Sequence, residues 1–177
     1  DIDHSEPTAI RVLERCSEMM TGFLSDADFI DVLRLCQVTL HRSGLDPQKV
    51  SVLGEQIAEE FPAGDPRINH EVIRLATYLG SESLADRAIE YLESDAPHES
   101  RTLVAMCLQS MSEGWNAKQR FAILKFFEKA ANRSTSGALP MYMTNVTRDF
   151  ASTLSEDDLQ AIMEQGHIWQ NAALAAI

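Results

Sequence analysis

The stretch Phe61-Pro62-Ala63-Gly64-Asp65-Pro66 constrains this chain more than any other, because it forbids regular structure for a few residues and then restarts a helix. Pro62 and Gly64 break the backbone run. Asp65 offers a carboxylate to the free N–H groups of a following helix, and Pro66 suits the first helical position, where no intrahelical N–H bond is lost. Beyond it, Ile68, Val72, Leu75, Ala76 and Leu79 fall at the spacing of one buried helix face, and Gly80 ends it. Helices this short hold together only by packing their apolar stripes on one another.

The same pattern recurs along the chain, which reads as nine helices and no strand. The first covers about Thr8 to Met20, with Val12, Leu13, Cys16 and Met20 inward. Ser25 or Asp26 caps the second, whose stripe is Phe29, Val32, Leu33, Cys36 and Leu40 before Gly44. Asp46-Pro47 repeats the device of Asp65-Pro66 and opens a stripe of Val50, Leu53, Gly54, Ile57 and Phe61, with Gly54 letting a neighbouring helix come close. The fifth helix starts near Ser81 or Ser83 and buries Leu84, Ala88, Tyr91 and Leu92; the sixth starts near Pro97 and ends at Gly114. Asn116 with Gln119 has capping-box spacing and opens the seventh, with a broad apolar face of Phe121, Ile123, Leu124, Phe127 and Ala130. After a loop at Asn132–Gly137, the eighth points Leu139, Tyr142, Met143, Val146 and Phe150 inward. Ser155 caps the ninth, and Gly166 precedes a last segment with Ile168, Trp169, Ala172 and Leu174.

Helices two to nine pair off, with pairs beginning near residues 26, 66, 97 and 138, close to the roughly 40-residue period of HEAT-type repeats. The expected fold is therefore all-α, a HEAT-like helical repeat (an α-α superhelix) of about nine helices. Residues 1–177 would form a single helical-repeat domain, with 1–24 as an N-terminal capping helix and 25–177 as about four helix pairs. A compact helical bundle satisfies the same periodicity. The uncapped end at Ala175-Ala176-Ile177 reads as a fragment of a longer chain.

Charge narrows the partners. A formal net charge of −12 argues against nucleic acid or an anionic membrane surface, both of which want a basic footprint. No apolar run approaches the roughly 20 residues of a membrane span. Cys16, Cys36 and Cys107 are widely spaced, form no C-x-x-C, and read as small buried hydrophobes.

Candidate chemistry is sparse. His4, His41, His70, His98 and His167 include no pair four apart, and Arg74 stands where a second zinc ligand would follow His70-Glu71. No phosphate loop, nucleophile elbow or calcium loop is present. Without C-x-x-C-H, the segment cannot hold a c-type haem covalently. The acidic run Ser155-Glu156-Asp157-Asp158 complements the positive end of a helix. No catalytic, cofactor-binding or metal-ligating residue is assigned. Arg67, Arg74, Arg120 and Arg148 lie on or beside apolar stripes, where structural ion pairs with Glu71, Glu113 or Asp149 between stacked helices are the default and an anion-binding groove the sharper reading. Trp115 is expected to pin the turn between helices six and seven, or to serve as a binding-surface aromatic.

Four phrases together resemble a known module: Phe61–Asn69 with Glu71 and Arg74-Leu75-Ala76; Glu113-Gly114-Trp115-Asn116 with Gln119-Arg120; Asn145–Asp149; and Trp169–Leu174. Over roughly residues 45–177 the chain resembles the helical, HEAT-like module of large bacterial multidomain proteins that carry a C-terminal c-type cytochrome, haem-binding domain. The pattern departs at Asn116, where Thr is usual; both residues cap helices. The resemblance implies a periplasmic or membrane-associated parent protein, with haem only in a C-terminal domain outside this segment. It supplies no haem ligand and no catalytic residue here.

The expected function is a non-catalytic helical-repeat scaffold or protein-interaction module within a larger haem-containing protein. Its partners would be protein or neighbouring domains of the same chain. One alternative is the wall of a substrate site in a haem-linked oxidoreductase, with Arg67 and Arg120 facing an anionic or sugar substrate. Another is a stand-alone acidic adaptor.

Overall fold

The computed structural model describes residues 5–111, 115–133 and 139–164. Among them the chain is all-helical: α1 (Glu6–Met20), α2 (Asp26–Ser43), a 3-10 turn (Pro47–Val50), α3 (Ser51–Glu59), α4 (Pro66–Leu79), α5 (Leu84–Glu93), α6 (His98–Leu108), α7 (Ala117–Arg133), α8 (Leu139–Ala151) and α9 (Glu156–Glu164). The expected stop at Gly114, residues 134–137 of the expected loop, and the segment from Gly166 onward lie outside the described residues, as do His4, His167 and Glu113.

Two compact units emerge, residues 1–87 and 88–177. In the first, α1 packs on α2 and α3 on α4, while α1 also meets α3 and α2 meets α4. Polar clamps fix the order along these contacts. Lys49 Nζ reaches Glu6 at 2.6 Å, and Gln56 accepts from Ser17 Oγ at 2.6 Å and donates to its carbonyl at 3.1 Å. Likewise Arg34 and Gln37 both reach Glu71, at 3.3 and 3.0 Å. Along α1 and α3 the contacts advance together, from Glu6 with Lys49 to Ser17 with Gln56, and α2 and α4 keep the same sense, with Phe29 near Ile68 and His41 near Tyr78, so each pair is parallel: two helical hairpins, one stacked on the other. These hairpins begin at Glu6 and Pro47. The phase suggested by the sequence, with pairs from near 26 and 66, groups the same run of helices one step later.

Helix ends explain why the elements stop where they do. Asp65 Oδ1 accepts the Arg67 N–H at 2.8 Å and Asp46 Oδ1 accepts the Gln48 N–H at 3.0 Å, as Asp-Pro predicts. Gly44 and Gly80 take φ of 61° and 67°, the left-handed conformation that only glycine adopts without strain. α1 begins at Glu6 rather than Thr8, because Pro7 is tolerated within a first turn. The Asp46-Pro47 start yields a 3-10 turn before α3 proper.

Between α3 and α4 the corner is stitched by two side chains. Asn69, 3% exposed, accepts the Ala63 N–H at 2.6 Å and donates to the Ala63 carbonyl at 3.0 Å. Arg87 donates to the Glu59 and Phe61 carbonyls at 3.2 and 3.1 Å, groups that the end of α3 leaves unpaired. The Phe61–Pro62 peptide is cis, and Phe61 is fully buried. Glu55 of α3 accepts the Glu82 N–H at 2.7 Å and the Ser83 N–H and O–H, so the start of α5 is capped from another helix.

Gly54 sits where α3 meets the end of α4. A Cβ there would lie 2.9 Å from Ser81 Oγ and 3.0 Å from Leu79 Cβ. The hydroxyl can rotate away; Leu79 Cβ cannot.

The second unit is built on α7, which packs against α6, α8 and α9. Ile123, Leu124 and Phe127 are fully buried with Met143 and Phe150 of α8. Phe127 and Trp115 meet the Phe150 ring edge-on at 6.0 and 6.1 Å, geometry that adds about 1 kcal/mol per pair to burial. Tyr142, expected inward, is 43% exposed; Met143 takes the inward position beside it.

Two substitutions test this account. Gly54→Ala gains about 1 kcal/mol of helix propensity but overpacks the α3–α4 junction by roughly 1–3 kcal/mol. A net fall in the midpoint of chemical denaturation is expected; a rise would refute the close approach. Asn69→Ala strands both polar groups of Ala63 and should cost about 2 kcal/mol, with unchanged midpoint as the contrary result.

Candidate functional site

The five residues singled out from sequence occupy separate local settings. Arg67 is exposed and folds back onto its own cap, with Nε and Nη2 3.1 and 2.7 Å from Asp65 Oδ2. The hydrogen bonds from Arg67 hold the Asp65 carboxyl below its usual range, so that interaction is present at neutral pH and is lost as pH falls through the lowered value. Arg74 lies 3.8 Å from Glu71 one turn away. Arg148 meets its neighbour Asp149 at 3.6 Å, both exposed. Glu71 and Asp149 are among the expected acidic partners, but each contact lies within one helix and not between stacked helices. For Arg67 the partner is instead Asp65, two residues away.

Trp115 donates its indole N–H to the Met111 carbonyl at 3.1 Å and packs on Phe150, so it fastens the end of α6 to the core of the second unit. Asn116 and Gln119 form the expected reciprocal cap: the Asn116 N–H donates to Gln119 Oε1 at 2.8 Å, and the Gln119 N–H donates to Asn116 Oδ1 at 3.0 Å.

Arg120 is buried, and its guanidinium lies 3.4 Å from Asp158, with side-chain exposures of 10% and 16%. Asp158 does two jobs. The same Oδ2 accepts from the Ser155 N–H and hydroxyl at 3.2 and 2.8 Å, while Ser155 Oγ accepts the Asp158 N–H. The acidic run thus completes a cap, as expected, and also ties α9 to α7. Removing one partner of a desolvated pair leaves the other charge uncompensated.

Cys16 and Cys36 face each other between α1 and α2, both essentially inaccessible. Their thiols interact. That contact holds Cys16 below the ordinary thiol range and, together with burial, pushes Cys36 above it. Among the described residues no cluster of His, Cys, Asp and Glu could hold a metal ion, and no helix is long and apolar enough to cross a membrane.

Two of the concavities among the described residues combine apolar walls with polar groups. On the first unit a groove of about 220 Å³ runs between α2 and α4, lined by Gln37, Leu40, His41, Arg74, Leu75 and Tyr78. Of its lining residues Tyr78 on α4 is 52% exposed; Val38 and Leu35 of α2 are exposed at 51% and 47% but do not line the groove, and Leu35 faces away from it. On the second unit a cleft of about 470 Å³ is walled by α7, the start of α6 and the end of α5. Sequence reading missed both, having assigned Phe121 wholly to the core.

No family model, curated protein or solved structure matches the chain.

Arg120→Met is expected to be tolerated better than Asp158→Ala. Methionine fills the buried volume without a charge, whereas the alanine variant strands a guanidinium and a cap, costing on the order of 2–4 kcal/mol. Equal thermal midpoints for the two variants would deny Asp158 its double role.

Proposed function

We propose that this chain is a non-catalytic helical-repeat module that engages a protein surface, either a neighbouring domain of its parent chain or a separate partner. The observation that carries the reading is the α2–α4 face. Tyr78 exposes apolar surface in a shallow groove walled by Leu40 and Leu75, the Arg34–Glu71–Gln37 cluster supplies polar contacts next to it, and Val38 is exposed one turn after Arg34. An apolar patch with a polar rim is the usual anatomy of a protein-binding surface. The parallel stacking of the two hairpins fits a repeat architecture, in which each pair buries its face on the next. The sequence resemblance adds the parent: a larger protein with a c-type haem domain, into which this module would set the neighbouring domains in register.

The reading in which Arg67 and Arg120 face a substrate has less support. Arg67 is engaged by Asp65 and Arg120 by Asp158, so neither guanidinium is presented to a ligand. A concave site with convergent polar groups, which that reading requires, occurs instead in the second unit and rests on other residues.

A photo-cross-linking residue placed at Val38 in the full-length parent protein tests the proposal. The expected result is a specific adduct to another domain or a stable protein partner, lost when Tyr78 is changed to Ser. An adduct yield no greater than from an exposed polar position such as Gln48 would overturn it. The residues that follow Ile177 decide the haem association separately: a C-x-x-C-H downstream supports it, and a natural chain end at Ile177 removes it.

A further inference from the structure

We propose that the cleft of the second unit binds a small amphiphilic organic anion, an apolar ring or chain bearing an oxyanion such as carboxylate, sulfonate or phosphate. The first ground is charge placement. The lysines of the chain are Lys49, Lys118, Lys125 and Lys129, and the last three line this one cleft. They do so in a protein whose formal net charge is −12. Their spacing of seven and then four residues sets them in one stripe along α7. Lys49 has its carboxylate, Glu6 at 2.6 Å. None of the other three makes an ion pair with a described residue. Glu93 is the carboxylate on the rim, so the balance there stays positive.

The second ground is the wall between the charges. Phe121 and Phe126 of α7 alternate with the lysines, and Leu92 of α5 closes the far side. The Phe126 ring lies 6.3 Å from His98, tilted at 38°. A neutral hydrocarbon would use only the apolar floor of this site, and inorganic phosphate or a fully polar polyanion only its cationic edge.

Two polar atoms supply the third ground. His98 Nδ1 and Arg101 Nε, both from lining residues, are buried and have no hydrogen-bond partner. Arg101 spends Nη1 on the Leu92 and Ser94 carbonyls at 3.2 and 3.0 Å, which leaves Nε unused. Buried groups of this kind are normally paired; both atoms lie beneath the cleft surface, and a shift of the Arg101 side chain brings its guanidinium to a ligand oxyanion, the acceptor that its surroundings lack. At about 470 Å³ the cleft falls within the range of small-molecule sites. A peptide helix, about 10 Å across, asks for a longer open groove.

The probe is 1-anilinonaphthalene-8-sulfonate, compared with N-phenyl-1-naphthylamine, which keeps the rings and lacks the sulfonate. With the full chain, fluorescence titration should show one saturable sulfonate site, weakened about tenfold by raising salt from about 0.02 to about 0.5 M. The triple variant Lys118→Gln, Lys125→Gln, Lys129→Gln should weaken it by at least a similar factor, and the triple Lys→Arg variant should restore it. The neutral amine should bind the native chain more weakly and respond to neither change. Thermal melts of the variants check folding; should the glutamine variant melt early, the salt response and the amine comparison on native protein decide alone. Equal binding of the two probes, or sulfonate binding indifferent to salt and lysines, overturns the proposal. Displacement of the sulfonate by a hexaglutamate peptide but not by decanoate or decyl phosphate also overturns it, in favour of an acidic peptide.

Discussion

Short helices leave many unpaired backbone groups for their length, and satisfying those groups from outside the helix is the constraint on which this structure depends. An α-helix has free N–H groups in its first turn and free carbonyls in its last, whatever its length. With α3 and α9 nine residues long, those ends make up much of each element. Local caps serve some of them, Asp65 and Asp46 among them. Others are served from a distance: Glu55 of α3 caps the start of α5, Arg87 takes up carbonyls after α3, and Arg101 does the same after α5. Each remote cap fixes a position as well as satisfying a hydrogen bond. The polar contacts therefore set which helix lies where, while apolar burial, about 1.5–3 kcal/mol for each large side chain, supplies most of the stabilisation.

This division explains what could be read from the sequence. Caps adjacent in the chain were legible, because Asp-Pro, Gly after a stripe, and Asn116 with Gln119 announce themselves at fixed spacing. The apolar stripes of α2, α4 and α7 were legible for the same reason. Remote caps were not. Nothing in Glu55 says that its partners are Glu82 and Ser83, and Asn69 reads as an ordinary polar residue after a proline until the chain is seen to turn back at Ala63. Gly54 stands between these cases. Its place on an apolar stripe hinted at a close neighbour, and the 3.0 Å approach of Leu79 shows which one.

The arginines sort by the same logic. A guanidinium in a folded helical protein is most useful where it can donate several bonds at once. Arg87 and Arg101 meet carbonyls, Arg120 meets Asp158, and Arg67 meets Asp65. Sequence position beside an apolar stripe singled out Arg120 together with three arginines that turn out exposed, and it could not distinguish a structural partner from a ligand, because both require the same half-buried placement. The lysines, with a single compact charge on a flexible stem, are poorer structural donors. Three of them left without a described partner on one side of α7 are therefore harder to explain by folding than four engaged arginines.

The helix α7 is where the expectation of a purely structural stripe fails, and the reason is geometric. Phe121, Ile123, Leu124, Phe127 and Ala130 span too wide an arc for one interface. Ile123, Leu124 and Phe127 are fully buried, whereas Phe121 is half-buried and turns toward the cleft with Phe126. A helix with an apolar arc this broad must either be enclosed or offer its second edge to something else. The lysines that interrupt this edge keep it from being sealed by another part of the same core, since burying an ammonium group without a counter-charge is costly. Aromatic surface that the core does not use, interrupted by cations that no described residue neutralises, is the arrangement an amphiphilic anion would complete.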